Sequence, residues 1–165
     1  MSFRVSIKRQ KIFVNGQATK KLDESSGGFR LIAETEDGYI VKADCQDGGG
    51  GEKLSLQTYS ELCMLPYIRD TDARYLPHVI AHGTLRYQGH KYCWLVEEKA
   101  NLLKHPRVTA SAARIVKRII DRYGLTDINW PVIGSRLDGT ANWGITKRTH
   151  QPVVYDFGCN MHGAS

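Results

Sequence analysis

Extended apolar runs fill the first half of the chain, and a single helical stripe marks the second. Residues 29–35 and 39–43 are two β-type runs on either side of Glu36-Asp37-Gly38. An Asp-Gly turn between such runs predicts a hairpin. A glycine run, Asp47 to Glu52, follows and reads as a flexible loop. Residues 54–65 then place Leu54, Tyr59, Leu62 and Leu65 on one face, with Pro66 near the end, which predicts a short helix. Residues 79–87 and 92–97 predict two strands about Gln88-Gly89. The clearest helix is predicted over 109–123. Thr109 can cap it, Ala112, Val116, Ile119, Ile120 and Tyr123 form its apolar stripe, and Gly124 can stop it. Two short strands, 143–146 and 152–155, are predicted about a polar turn from Lys147 to Gln151. The order is a strand-rich first half with one internal helix, then a helix, then a small hairpin, an α+β arrangement.

A length of 165 residues is one domain's worth and is enough to bury a core without staples. Hydrophobic residues at 41% and charged residues at 24% place the chain among ordinary globular proteins rather than disordered ones. No apolar run reaches bilayer length, and the first residues, Met-Ser-Phe-Arg-Val-Ser-Ile-Lys-Arg, carry no apolar signal region. A cytoplasmic protein is expected. Cys45, Cys63, Cys93 and Cys159 form no C-x-x-C pair, and no His cluster stands at zinc spacing, so reduced core thiols are expected and a structural metal is not. The net charge of +6 admits a nucleic-acid partner, an acidic partner or a solvated face. Lys8, Arg9, Lys11, Lys20 and Lys21 come early, while Arg114, Lys117, Arg118 and Arg122 share one helix. No basic run is interleaved with aromatics, so a nucleic-acid interface is not expected.

Three residues change the picture by their order. Taken singly, Lys42 is a strand lysine, Glu61 a solvated helix carboxylate, and Asp156-Phe157-Gly158 a common tripeptide. Together, a lysine follows the first hairpin, a glutamate lies 61 − 42 = 19 positions later on the predicted helix, and an aspartate ends a late strand. Phosphoryl transfer asks for such a set: a lysine on the phosphates, a carboxylate to hold it, and an aspartate for Mg²⁺. At these positions the chain resembles the protein kinases, in particular the short kinase-like proteins that bacteriophages encode. The resemblance runs from about Ser25 to Asn160.

The resemblance implies a protein-kinase-like α+β fold, with an antiparallel-sheet N-lobe and one helix over residues 1–98, a hinge near 95–100, and a minimal C-lobe over 101–165. It implies ATP and Mg²⁺ as cofactors. Ser26, Gly27 and Gly28 stand where a glycine-rich loop covers phosphates, although the full glycine pattern is incomplete, with Ser25 and Arg30 at two of its positions. Glu97 and Glu98 stand at the hinge, where backbone groups would bond adenine. Asn142, at 156 − 142 = 14 positions before Asp156, matches the second metal ligand. The catalytic aspartate is open between two residues. The family spacing puts it five before the Asn, where this chain has Leu137; Asp138 is one position off, with a D-G turn as its plain reading. Asp127 follows the long helix, where the catalytic loop begins, and needs an insertion over 130–141. Topology favours Asp127.

Only Cys159 to Ser165 follow the tripeptide, leaving no room for an activation segment or peptide-docking helices. Two functions are therefore expected nearly equally: a small serine/threonine-type kinase acting on a protein, and a catalytically weak kinase-like protein that acts by binding a partner. A reduced second lobe would also leave apolar surface for a second copy to cover, so a homodimer is a third partner to consider.

Overall fold

The computed structural model describes residues 2–22, 30–47 and 57–159. Ser26, Gly27 and Gly28 lie outside them, as does the glycine run beyond Asp47. The chain divides into two compact units, Met1–Leu62 with Val79–Lys99, and Cys63–His78 with Ala100–Ser165. Both mix strands and helix, so the fold is α+β with antiparallel sheets.

The first unit opens with β1 (Val5–Lys8), β2 (Lys11–Val14) and β3 (Gln17–Ala18), an antiparallel sheet in that order. A second sheet follows from β4 (Lys20–Lys21), β5 (Arg30–Glu34), β6 (Tyr39–Cys45), β7 (Val79–Tyr87) and β8 (His90–Glu98), ordered β4-β5-β6-β8-β7 and antiparallel throughout. The expected Asp-Gly hairpin joins β5 to β6: Gly38 takes φ 84°, and the Tyr39 amide donates to the Thr35 hydroxyl at 3.0 Å. Between β6 and β7 comes α1 (Gln57–Met64).

Side chains alternate across a strand, and that period sets the core. Leu31 and Ala33 of β5, Val41, Ala43 and Cys45 of β6, and Tyr92, Trp94 and Val96 of β8 pack with Val5, Ile7, Ile12 and Val14 of the first sheet. The even positions of β6 and odd positions of β8 must take the opposite face, and they are buried too: Lys42, Asp44, Cys93, Leu95 and Glu97. These two central strands are thus covered on both sides.

That cover explains why α1 departs from its expected face. Its buried residues are Thr58, Ser60 and Glu61, while Tyr59 and Leu62 stay partly exposed. Leu54 lies outside the described residues. The sheet face that α1 meets carries an ammonium and two carboxylates, so polar helix residues turn inward to match them.

The second unit holds two short 3₁₀ turns, Leu65–Tyr67 and Ala73–Tyr75, then α2 (Ala110–Tyr123), β9 (Leu125–Thr126), β10 (Trp143–Ile145), β11 (Pro152–Val154) and β12 (Gly158–Cys159). β10 pairs with β11 and β9 with β12, both antiparallel. Thr109 caps α2 by accepting the Ala112 amide at 3.1 Å, and Gly124 ends it at φ 58°, as the sequence predicts. Ala112, Ala113, Val116 and Ile119 bury the helix against Trp143, Ile145, Val154 and Phe157, with Ile120 and Tyr123 at the margin.

The polar side of α2 is fastened by Asp72, which is 1% exposed. Arg122 Nη1 and the Tyr123 hydroxyl donate to Asp72 Oδ2 at 2.6 and 2.7 Å, and Arg118 Nη2 donates to Oδ1 at 3.3 Å. Two of the four basic residues on this helix therefore serve the fold. Burial pushes the Asp72 carboxyl up, but the Tyr123 hydroxyl and the two guanidinium groups outweigh it, so it titrates below its ordinary 3.8. A depressed folded value means that the unfolded chain binds the proton first. The stability is therefore whole above about pH 4 and is lost as pH falls through the folded value. Asp72→Asn is expected to cost about 2 kcal/mol at pH 7, discounted for the partly exposed arginines. In urea titrations, wild type and variant should draw together as pH falls from 3.8 through the folded value; a gap that does not narrow at all below 3.8 would contradict the assignment.

Candidate functional site

Lys42 is the residue that organises the first unit's polar face. Its Nζ lies 3.1 and 3.3 Å from the two Glu61 carboxylate oxygens and 2.8 Å from Glu97 Oε1. The three side chains are 3%, 3% and 6% exposed. An isolated buried ammonium is strongly disfavoured, so a lysine here requires carboxylates at contact distance. The strand register delivers one of them: Lys42 stands opposite Leu95 and Ile40 opposite Glu97, so Glu97 is the diagonal neighbour on the same face. The helix delivers the other. Asp44, two residues along β6 on that face, accepts the Thr58 amide at 2.8 Å through Oδ2. Thr58 and Glu61 are three apart and share a side of α1. The helix is thus fastened to β6 at two points, its first turn to Asp44 and the next to Lys42.

Sequence reasoning placed the Lys42–Glu61 pair but missed two members of the cluster. Glu97 was assigned a backbone role at a hinge; both Glu97 and Glu98 lie inside β8, in register with Ile40 and Tyr39. It is the Glu97 side chain that enters the site, while Glu98 is exposed. Asp44 carried a usable signal, since it shares the parity of Lys42 in the same strand.

The second unit gathers Asp127, Asn142 and Asp156. The Asn142 amide nitrogen donates to the Asp127 carbonyl at 2.8 Å and to the Asp156 carbonyl at 3.3 Å. Both partners are acceptors, so the nitrogen must face them and Oδ1 points away from both. Asp127, Asn142 and Asp156 take φ of 63°, 57° and 52°. Three non-glycine residues in the left-handed region, joined by one side chain, mark a backbone held in place by its surroundings. Several contacts hold it. Phe157 is buried at 2% in the core, the β9–β12 ladder pairs Gly158 with Thr126, and the Tyr155 amide donates to the Asn142 carbonyl at 2.9 Å.

The intervening loop closes at its base. The Asn129 amide donates to the Ala141 carbonyl at 3.1 Å, and the Trp143 indole donates to the Asn129 carbonyl at 3.1 Å. This is how Asp127 reaches Asn142 across a separation of fifteen positions. Asp138 belongs to a turn inside that loop. Its Oδ1 accepts from the Thr140 hydroxyl at 2.6 Å and the Thr140 amide at 2.9 Å, and these bonds hold its carboxyl below the ordinary value. Gly139 follows at φ 87°, so the residue sits in the D-G turn that its plain reading describes.

No protein-family model matches the chain, and no curated protein matches it. No helix of the described residues is long and apolar enough to cross a membrane.

Removing Lys42 would leave two buried carboxylates facing one another. Lys42→Ala is expected to cost about 3–5 kcal/mol of unfolding free energy. Far-ultraviolet circular dichroism in a urea series reads this directly. A loss under about 1 kcal/mol, the range of an exposed pair, would contradict the buried cluster.

Proposed function

We propose that the chain is an ATP- and Mg²⁺-dependent phosphotransferase of the protein-kinase type, with a hydroxyl group of a protein as acceptor. The observation that carries this reading is the buried Lys42–Glu61 ion pair, formed by a strand and the helix after it. A structural role alone does not call for a lysine at this depth, since apolar residues of similar volume serve a core as well or better. A lysine held extended by a carboxylate is what a phosphate-binding strand needs.

The oxygen donors of the second unit fit the other half of the chemistry. The Asp156 carboxylate and Asn142 Oδ1 are hard ligands of the kind that Mg²⁺ takes. Bound Mg²⁺ supplies charge neutralisation on the phosphates. Within this reading Lys42 balances phosphate charge, Glu61 fixes its pose, and Asp156 with Asn142 holds the ion. Asp127, whose carbonyl is tied to Asn142, orients the acceptor hydroxyl and takes its proton. Asp138 is left out because its carboxylate is engaged by Thr140.

The test is transfer of label from γ-labelled ATP with Mg²⁺, alongside nucleotide binding. Lys42→Ala and Asp156→Ala are expected to lower transfer on the order of 100-fold or more. Asp127→Asn should lower it comparably, and Asp138→Asn should leave it within about threefold. No nucleotide binding by the wild type at millimolar ATP would refute the proposal. Equal losses from both aspartate variants would refute the assignment of Asp127.

One observation favours a second reading, a kinase-like fold that works by binding a protein partner. Glu97 Oε1 is nearer to Lys42 than either Glu61 oxygen, so a second carboxylate competes with phosphate for the ammonium. If the chain uses nucleotide, Glu97→Gln should tighten ATP binding by about tenfold, or 1.4 kcal/mol. If Glu97→Gln leaves nucleotide binding undetectable, the binding-protein reading prevails.

A further inference from the structure

The sequence sets no cysteine beside a histidine, yet the fold does. Cys45 ends β6, Asp47 lies two residues on, and His90 opens the neighbouring strand β8. The backbone ladder continues past the strand end, where the Gln46 amide donates to the Lys91 carbonyl at 2.7 Å and the Lys91 amide donates to Asp47 Oδ2 at 2.9 Å. Three side chains, from the ends of two adjacent strands and the bend after β6, thereby converge on one point. Asp47 Oδ1 stands 3.4 Å from Cys45 Sγ and 3.1 Å from His90 Nδ1, and the thiol, carboxylate and imidazole atoms all lie within 4.8 Å of one another.

We propose that Cys45, Asp47 and His90 form a binding site for one transition-metal dication of the zinc class. The distances fit. Ligand bonds of about 2.3 Å to sulfur and about 2.1 Å to nitrogen and oxygen give tetrahedral edges of about 3.6 Å for S···O and 3.4 Å for N···O. The two contacts seen in the fold fall 0.2–0.3 Å short of these edges, a difference that small side-chain rotations remove.

The donor set also selects. A thiolate with an imidazole and one carboxylate suits Zn²⁺ or Co²⁺ and is a poor match for Mg²⁺ or Ca²⁺, which take oxygen. The Lys91 amide fixes the carboxylate by its other oxygen, as an outer partner of a metal ligand does. Hydrogen bonding in a surface turn accounts for Asp47 with His90 and with Lys91. The buried Cys45 thiol turns to the same oxygen, which places all three donor types at one point. Three protein ligands leave a fourth position, and the site has a solvent side, with Asp47 43% and His90 41% exposed. On binding, the Cys45 thiol gives up its proton to solvent and the sulfur becomes the ligand. This site uses none of the residues assigned to nucleotide, and it stands whether or not that reading holds.

The experiment uses the whole chain, reduced and stripped of metal, titrated with Co²⁺ alone in the presence of excess Mg²⁺. A thiolate-to-cobalt charge-transfer band should rise to one equivalent and vanish when Zn²⁺ is added. His90→Ala, at a partly exposed strand end, should weaken Co²⁺ binding at least tenfold with the circular dichroism unchanged. Cys45→Ser should abolish the band, and Cys93→Ser and Cys63→Ser should retain it. Should Cys45→Ser fail to fold, Asp47→Asn takes its place and should likewise weaken binding at least tenfold. No band in the wild type would overturn the proposal, as would a band unaffected by both His90→Ala and the second ligand variant.

Discussion

Lys42 places an ammonium group in a strand that is covered on both faces, and much of the first unit follows from that one fact. The odd positions of β6 build the sheet-on-sheet core, so the even positions have only the other face. A charge there needs counter-charge at contact distance, and two sources supply it: the diagonal position of β8 and the helix that covers the face. Glu97 and Glu61 occupy them. Asp44 then holds the first turn of α1 by its Thr58 amide, which fixes the helix rotation that aims Glu61 at the lysine. The polar cluster and the helix position are one solution, because neither carboxylate would tolerate burial without the ammonium.

The second unit meets a different constraint by a different means. Its candidate residues lie in backbone that most side chains disfavour, and Asp and Asn are among the few residue types that enter the left-handed region at modest cost. One amide group ties two carbonyls of such strained segments together. Around it, the buried Phe157 ring and the β9–β12 ladder leave Asp156 little freedom. Preorganisation of this kind is costly to stability and useful for holding ligands, which is why strained residues collect at sites rather than along ordinary turns.

How much of this was legible in the sequence depended on the range of the interaction. The Asp-Gly hairpin, the capped helix α2 and the two late strands were readable because their signals are local: turn residues, a capping threonine and a 3.6-residue stripe. The Lys42–Glu61 pair was readable only through order along the chain, since nothing local distinguishes either residue from a solvated charge. The apolar face expected for α1 was misread, because periodicity counts hydrophobic residues and cannot know that the receiving surface is polar. The Glu97 side-chain contact was missed for the same reason: it is set by a strand register that pairs positions more than fifty residues apart.

The same limit governs Cys45 and His90. Zinc spacings in sequence describe ligands that arrive from one hairpin or one helix, and cysteine arithmetic along the chain excludes everything else. In an antiparallel sheet whose neighbours are not consecutive, ligands separated by forty or more positions meet as readily as those separated by three. The β6–β8 pairing skips α1 and β7, so it joins residues that no short motif could join. One strand pairing thus places Glu97 on Lys42 at one end and His90 beside Asp47 at the other. The two clusters need no shared chemistry to share a cause. Both exist because β8 lies antiparallel to β6 in a register that aligns polar positions at each end.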